Sequence, residues 1–171
     1  IFTTLCEVSP GIIWAGGYNS GTFQINKKTR STQYILPSNF NQQDVHPDKY
    51  IRDIKKDAEG NIWSGGYYYL KKRNLQDKSF RIYNGFSSIT TILEKDSTHM
   101  WIACSTGLYL LNKESEASEH INLPIESNYI YSLYQTRSGL LYIGTSGYGL
   151  LIYDPKTKLF THYHEENSAL I

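Results

Sequence analysis

The chain has 171 residues, and its 17 lysines and arginines against 16 aspartates and glutamates leave a net charge of +1. That balance offers no electrostatic case for a nucleic acid or a membrane surface as partner. The sequence contains neither an uninterrupted apolar run of membrane-spanning length nor a signal-peptide pattern, so nothing in these residues spans a bilayer as a helix or directs export.

Taken from the N-terminus, one pattern recurs: an aliphatic or aromatic residue, an aliphatic three positions on, and a large ring nine positions after that. The sets are Phe2/Leu5/Trp14, Ile51/Ile54/Trp63, Ile89/Ile92/Trp101 and Ile130/Leu133/Tyr142. The internal offsets hold in all four, while the spacing from ring to ring drifts around 40 residues. Fixed spacing inside a unit and loose spacing between units marks a repeat architecture, in which no unit buries its own apolar face and each must stack on its neighbours.

Small residues follow the same register. Gly11, Gly60 and Gly139 stand three before the ring, with Thr98 in the third repeat; Gly16, Gly65 and Gly144 stand two after it, with Ala103 as the small substitute. Gly21, Gly107 and Gly149 open a third strand. The second repeat shows the plan most clearly. Tyr50–Lys56 is a strand, Asp57–Asn61 supplies turn chemistry, Ile62–Ser64 is a second strand and Gly65-Gly66 a punctuation. Tyr67–Lys72 is a third strand rich in residues suited to a pleated surface, and Ser79–Tyr83 is a fourth with alternating polarity. No glycine-free window carries a helical apolar period, which predicts almost no helix.

Four-stranded units of this length predict an all-β fold of antiparallel β-propeller blades. A sandwich shows similar short strands but gives no reason for a repeat. The blades are residues 1–49 with a linker, 50–88, 89–128, and 129–171 with the start of a next linker. Trp14, Trp63, Trp101 and Tyr142 are expected buried between blades, each ring covering ~150–250 Å² and contributing several kcal/mol at most at ~25 cal/mol per Å².

The run Ile-x-x-Ile-x-x-Asp-x-x-Gly-Asn-Ile-Trp from Ile51 to Trp63, and the segment from Leu140 to Asp154, resemble the two-component regulator propeller repeat. The chain departs from that pattern at Ala103-Cys104, at Tyr142 and at Val8-Ser9-Pro10. The resemblance implies the periplasmic sensor region of a Bacteroidetes hybrid two-component histidine kinase, built from larger propellers. Its membrane span, kinase core and DNA-binding module would lie outside these residues. On that reading the chain is a piece of about four blades forming an open arc, with Asn167–Ile171 leading toward a next blade, exposed end faces, and contacts to remaining blades or to another copy.

Chemical signals are sparse. His162 and His164 share one face of a strand and have Glu165 and Glu166 nearby, but a metal would need further ligands; a solvated outer strand is the simpler reading, and no metal is expected. Asp57 and Asp96 follow first strands at turn positions, which points to hydrogen bonding with the turn backbone rather than to paired catalytic carboxylates. Gly16–Gly21 is glycine-rich, but no helix follows it to present an N-terminus to a phosphate. Cys6 and Cys104 fall in separate repeats, predicting two thiols and no disulfide. No catalytic residues and no cofactor are expected.

Fifteen tyrosines are the one compositional hint of a ligand. A phenol ring pairs an apolar body with a polar tip, which suits the C–H faces and hydroxyls of a sugar, although tyrosine is also simply a good strand residue. In a propeller the turns between second and third strands emerge on the same end as the inter-blade linkers. Tyr18, Asn19, Tyr67, Tyr68, Ser146 and Tyr148 are therefore the candidate contacts for an oligosaccharide. Three functions stay open: carbohydrate sensing, a scaffold or dimer-forming propeller without ligand, and a polysaccharide hydrolase or lyase.

Overall fold

A computed structural model of the chain describes residues 1–35, 49–127 and 129–168. Most of the linker assigned to the first blade, and the expected approach to a next blade from residue 169 onward, lie outside these. Sixteen strands and no α-helix occur among the described residues.

The strands form four antiparallel sheets of four, each running in simple chain order. The first sheet is β1 (Phe2–Ser9), β2 (Ile12–Gly17), β3 (Gly21–Asn26) and β4 (Thr32–Tyr34). The second is β5 (Ile51–Lys56), β6 (Ile62–Gly66), β7 (Leu70–Arg73) and β8 (Phe80–Tyr83). The third is β9 (Thr91–Glu94), β10 (His99–Cys104), β11 (Gly107–Asn112) and β12 (Ser118–Ile121). The fourth is β13 (Ile130–Gln135), β14 (Leu141–Thr145), β15 (Leu150–Asp154) and β16 (Leu159–Tyr163). A sandwich would exchange strands between sheets; here every strand pairs only with its sequence neighbours, one sheet per repeat. The residues group into two compact units, Ile1–Ile89 holding the first two sheets and Thr90–Ile171 the last two.

The offset of three has a structural cause in the first, second and fourth repeats. Residues three apart in a regular strand face opposite ways. In β1, β5 and β13 the pairing register shifts by one between Phe2 and Thr4, Ile51 and Asp53, and Ile130 and Ser132. The bulge returns Leu5, Ile54 and Leu133 to the side of Phe2, Ile51 and Ile130. The anchor ring takes the opposite side: Trp14 pairs with Cys6 and with Gln24, one step out of phase with the Leu5–Ala15–Phe23 row. Each blade thus offers an aliphatic pair on one face and a ring on the other.

The two units use these faces alike. Val8 and Trp14 of the first sheet share a core with Ile51, Ile54 and Ile62 of the second. Trp101, Ala103 and Leu108 of the third share one with Ile130, Leu141, Ile143 and Leu151 of the fourth. Gly16 stands where the second sheet packs closely: a Cβ there would lie 2.5 Å from Cγ2 of Ile51 and 2.9 Å from Cδ1 of Ile54. The corresponding Ala103 is fully buried, so the third sheet accommodates a methyl group at that register.

Trp14, Trp63 and Trp101 are buried as expected. Tyr142 is only half-buried, a correction with a plain origin: its side of the fourth sheet has no further sheet of its own unit against it. Phe2 and Leu5, at 56 % and 67 % exposed, show the converse, since no sheet of unit 1 covers their face. Two local boundaries also differ from expectation. Gly65 and Gly66 complete β6 rather than punctuating it, and Tyr67–Tyr69 lie outside the third strand, which begins at Leu70. Cys104 is the last residue of β10, and both cysteines are free thiols.

Turn carboxylates do what their positions predict, and more. Asp96 Oδ1 accepts from the backbone N–H groups of Thr98 (2.9 Å) and His99 (2.8 Å), and Oδ2 accepts from Lys95 Nζ at 2.7 Å. Partial burial pushes its carboxyl up, and the hydrogen bonds from Lys95, Thr98 and His99 outweigh that, holding it well below the usual carboxylate range. Asp57 is buried; its Oδ1 accepts from Asn61 N at 2.8 Å and its Oδ2 from the Trp63 indole at 2.8 Å. The turn residue therefore orients the anchor ring of its own blade.

Candidate functional site

In unit 1 the turn between β2 and β3 is tied to the segments entering β1 and β5. Tyr18 N–H donates to Ile1 O at 2.9 Å and Ser20 N–H to Lys49 O at 3.1 Å. One repeat later Tyr67 N–H donates to Tyr50 O at 3.1 Å, and Ser88 N–H to Tyr67 O at 2.9 Å. Gly66 makes this approach possible, because any Cβ there would collide with the Tyr50 carbonyl. Asn19 takes the left-handed conformation (φ 58°) that closes the turn, a geometry asparagine tolerates better than most residues.

These bonds gather four phenols. Tyr18 and Tyr50 lie 4.9 Å apart between ring centroids, Tyr50 lies 6.0 Å from Tyr67 and 6.1 Å from Tyr68, and Tyr67 and Tyr68 are 5.5 Å apart. Tyr18, Tyr67 and Tyr68 each remain 50 % exposed. The rings meet edge-on or tilted, the favourable arrangement for aromatic quadrupoles. Three sequence-predicted residues are thus brought together, and Asn19 sits on the same turn. Tyr50 was not foreseen. Its signal was a repeated Tyr-Ile at the entry to the inner strand, since Tyr129 precedes Ile130 as Tyr50 precedes Ile51.

Unit 2 has a related but smaller arrangement. Ser146 N–H donates to Tyr129 O at 3.0 Å, the counterpart of the Tyr67–Tyr50 bond, and the Tyr129 and Tyr131 rings lie 5.1 Å apart. Tyr148 lines a depression of about 610 Å³ with Gly147, Gly149, His162, His164, Glu165 and Glu166. The imidazole rings are 4.8 Å apart, but His162 Nε2 is engaged at 2.6 Å with Tyr148 O. His120 Nε2 makes the corresponding contact to Thr106 O at 3.2 Å in the third sheet. An outer-strand histidine that closes the inner turn in two successive blades is a structural device of the repeat. Among the described residues, no three His, Cys, Asp or Glu side chains are grouped to hold a metal ion.

Residues 124–147 match the family described as two component regulator propeller. No curated protein matches the chain. The fold is similar to solved extracellular domains of hybrid two component systems from B. thetaiotaomicron. One is 15 % identical with a TM-score of 0.78, covering 94 % of this chain and 24 % of that one. A second is 22 % identical with a TM-score of 0.68, covering 86 % of this chain and 19 % of that one. It is also similar to a catalytically inactive virginiamycin B lyase from Staphylococcus aureus solved with quinupristin, at 17 % identity and a TM-score of 0.72, covering 95 % of this chain and 55 % of the lyase. The chain therefore spans about a quarter or less of the two-component domains and about half of the lyase. Its sheets have the fold of β-propeller blades, and residues 124–147 are similar to the two component regulator propeller repeat.

Proposed function

We propose that the chain is part of the extracytoplasmic, periplasmic sensor region of a hybrid two-component histidine kinase, and that its tyrosine-lined end contacts an oligosaccharide ligand. The convergence of Tyr18, Tyr50, Tyr67 and Tyr68 at one end of unit 1 carries this reading. Half-exposed rings that already support one another lose little freedom on binding, so stacking on a pyranose face is not offset by a large ordering cost. Sensing needs no bond-breaking groups, and the cluster is built from phenols alone. The repeat match in residues 124–147 supports placement in a two-component regulator.

The test is titration calorimetry of the purified chain against a panel of neutral and acidic oligosaccharides, with product analysis on the same samples. Binding without cleavage is expected, and Tyr67→Ala or Tyr68→Ala should weaken it about tenfold, ~1.4 kcal/mol. Both rings are half-exposed, so the variants should keep their β-sheet spectra. Affinity unchanged by either substitution would displace the ligand from this end. Turnover would favour the hydrolase or lyase reading, and absence of binding across the panel would favour a scaffold.

A further inference from the structure

Asn84-Gly85 is the single Asn-Gly pair in the sequence. It lies just beyond β8, in an exposed bend between two pinned points. On one side Tyr83 is buried, pairs with Leu70 and packs its ring 5.1 Å from that of Trp63. On the other side Phe86 is buried, and Ser88 and Ile89 donate their backbone N–H groups to Tyr67 O at 2.9 Å and Gly66 O at 2.8 Å. The bend itself calls for glycine: Gly85 has φ 89°, in the left-handed region, and a Cβ there would meet nothing within 4 Å. Backbone geometry thus places after Asn84 the residue that least hinders attack on its side chain.

An asparagine loses its amide when the backbone nitrogen of the next residue reaches its Cγ. The nitrogen must be free of a hydrogen bond and the side chain free to rotate. Both conditions hold here: among the described residues, neither the Asn84 side chain nor the Gly85 N–H has a hydrogen-bond partner. At the two Asn-Ser pairs they fail. Ser20 N–H, after Asn19, is held by Lys49 O at 3.1 Å. Asn167 is held at both ends of its amide, Oδ1 accepting from His164 N–H and Nδ2 donating to His162 O, each at 2.8 Å, and Ser168 N–H donates to His164 O at 3.0 Å.

We propose that Asn84 is a site of spontaneous modification, converting through a succinimide to a mixture of isoaspartate and aspartate. Gly85 N bonds to Asn84 Cγ, the Cγ–Nδ2 bond breaks, and Nδ2 leaves as ammonia with the proton that Gly85 N gives up. Water then opens the ring at either carbonyl. Opening at the main-chain carbonyl routes the backbone through Cβ and Cγ; this isoaspartate inserts one backbone carbon and a negative charge between the two pinned ends. Opening at Cγ leaves aspartate, which adds the charge alone.

Peptide mapping of the whole chain after storage in mildly alkaline buffer, native and in urea, tests this. Trypsin releases residues 82–95 with Asn84 as their one asparagine, and residues 159–171 with Asn167 as theirs. In the native chain the first peptide should gain the mass of an amide turned acid about tenfold or more faster than the second. In urea Asn167 should speed up about tenfold as its hydrogen bonds are lost, while Asn84 stays within about threefold of its native rate. Fragmentation should find both isoaspartate and aspartate at position 84, and Asn84→Gln, whose longer side chain closes a larger ring slowly, should abolish the gain. An Asn84 about tenfold slower in the folded chain than in urea overturns the proposal, because the bend would then be closed to attack. Asn167 keeping pace with Asn84 in the native chain overturns it too, as does aspartate without isoaspartate.

Discussion

Gly16→Ala adds one methyl group at a close contact between the first two sheets. The new Cβ would sit 2.5 Å from Cγ2 of Ile51 and 2.9 Å from Cδ1 of Ile54, both well inside van der Waals contact. Ile51 and Ile54 are 2 % and 1 % exposed, and the clashing atom of Ile51 is on its branched Cβ, so it swings clear only through χ1, which branching and burial restrict. Overpacking of this kind costs about 1–3 kcal/mol. Ile51→Ala alone should cost about 2–5 kcal/mol through lost burial and the cavity left behind. Combined, the two changes partly repair each other, because the added methyl enters the space that Ile51 vacates. The double variant should therefore be more stable than the sum of the singles by about 1 kcal/mol or more, well beyond the ~0.3–0.5 kcal/mol scatter of independent sites. Urea unfolding followed by tryptophan fluorescence reads this directly, since Trp14 lies in the same core. A neutral Gly16→Ala, or strict additivity, would refute the packing argument.

Asp57→Ala removes the acceptor of the Trp63 indole and of the Asn61 backbone in a buried turn; a loss of about 2–3 kcal/mol is expected in the same urea assay, and Asp57→Asn should recover part of it. Asp96 has a folded-state pKa below its unfolded value, so its contribution is complete above about pH 4 and is lost as pH falls through the folded value. Wild type should lose urea resistance below about pH 4 more steeply than Asp96→Asn, which keeps the turn's acceptor oxygen but cannot titrate. Because Asp96 is partly exposed, that difference should shrink in high salt; parallel pH profiles for the two proteins would remove the carboxylate from this role.

The repeat was legible because it is written in local spacing. An aliphatic pair, a turn glycine and a ring recur at fixed offsets, and those offsets follow from hairpin geometry that each blade completes within its own residues. The turn roles of Asp57 and Asp96 were legible for the same reason, since their backbone partners lie within four residues. Why the pair is spaced by three was not, because the bulge that puts Ile51 and Ile54 on one face exists only against the partner strand β6. Which way each face points was likewise hidden. The ring of one sheet meets the aliphatic pair of the next, so the burial of Ile51 and the exposure of Phe2 depend on whether a sheet stands opposite, and no residue type records that. Tyr50 joins Tyr18, Tyr67 and Tyr68 by the same logic. Its position depends on Gly66 admitting its carbonyl and on two turns meeting at one end of the unit, contacts between residues more than fifteen apart that side-chain identity alone does not encode. Sequence determined the blade, because a blade is made of near neighbours; tertiary structure decided the faces and the tyrosine cluster, because both are made by segments that meet only after the blades have formed.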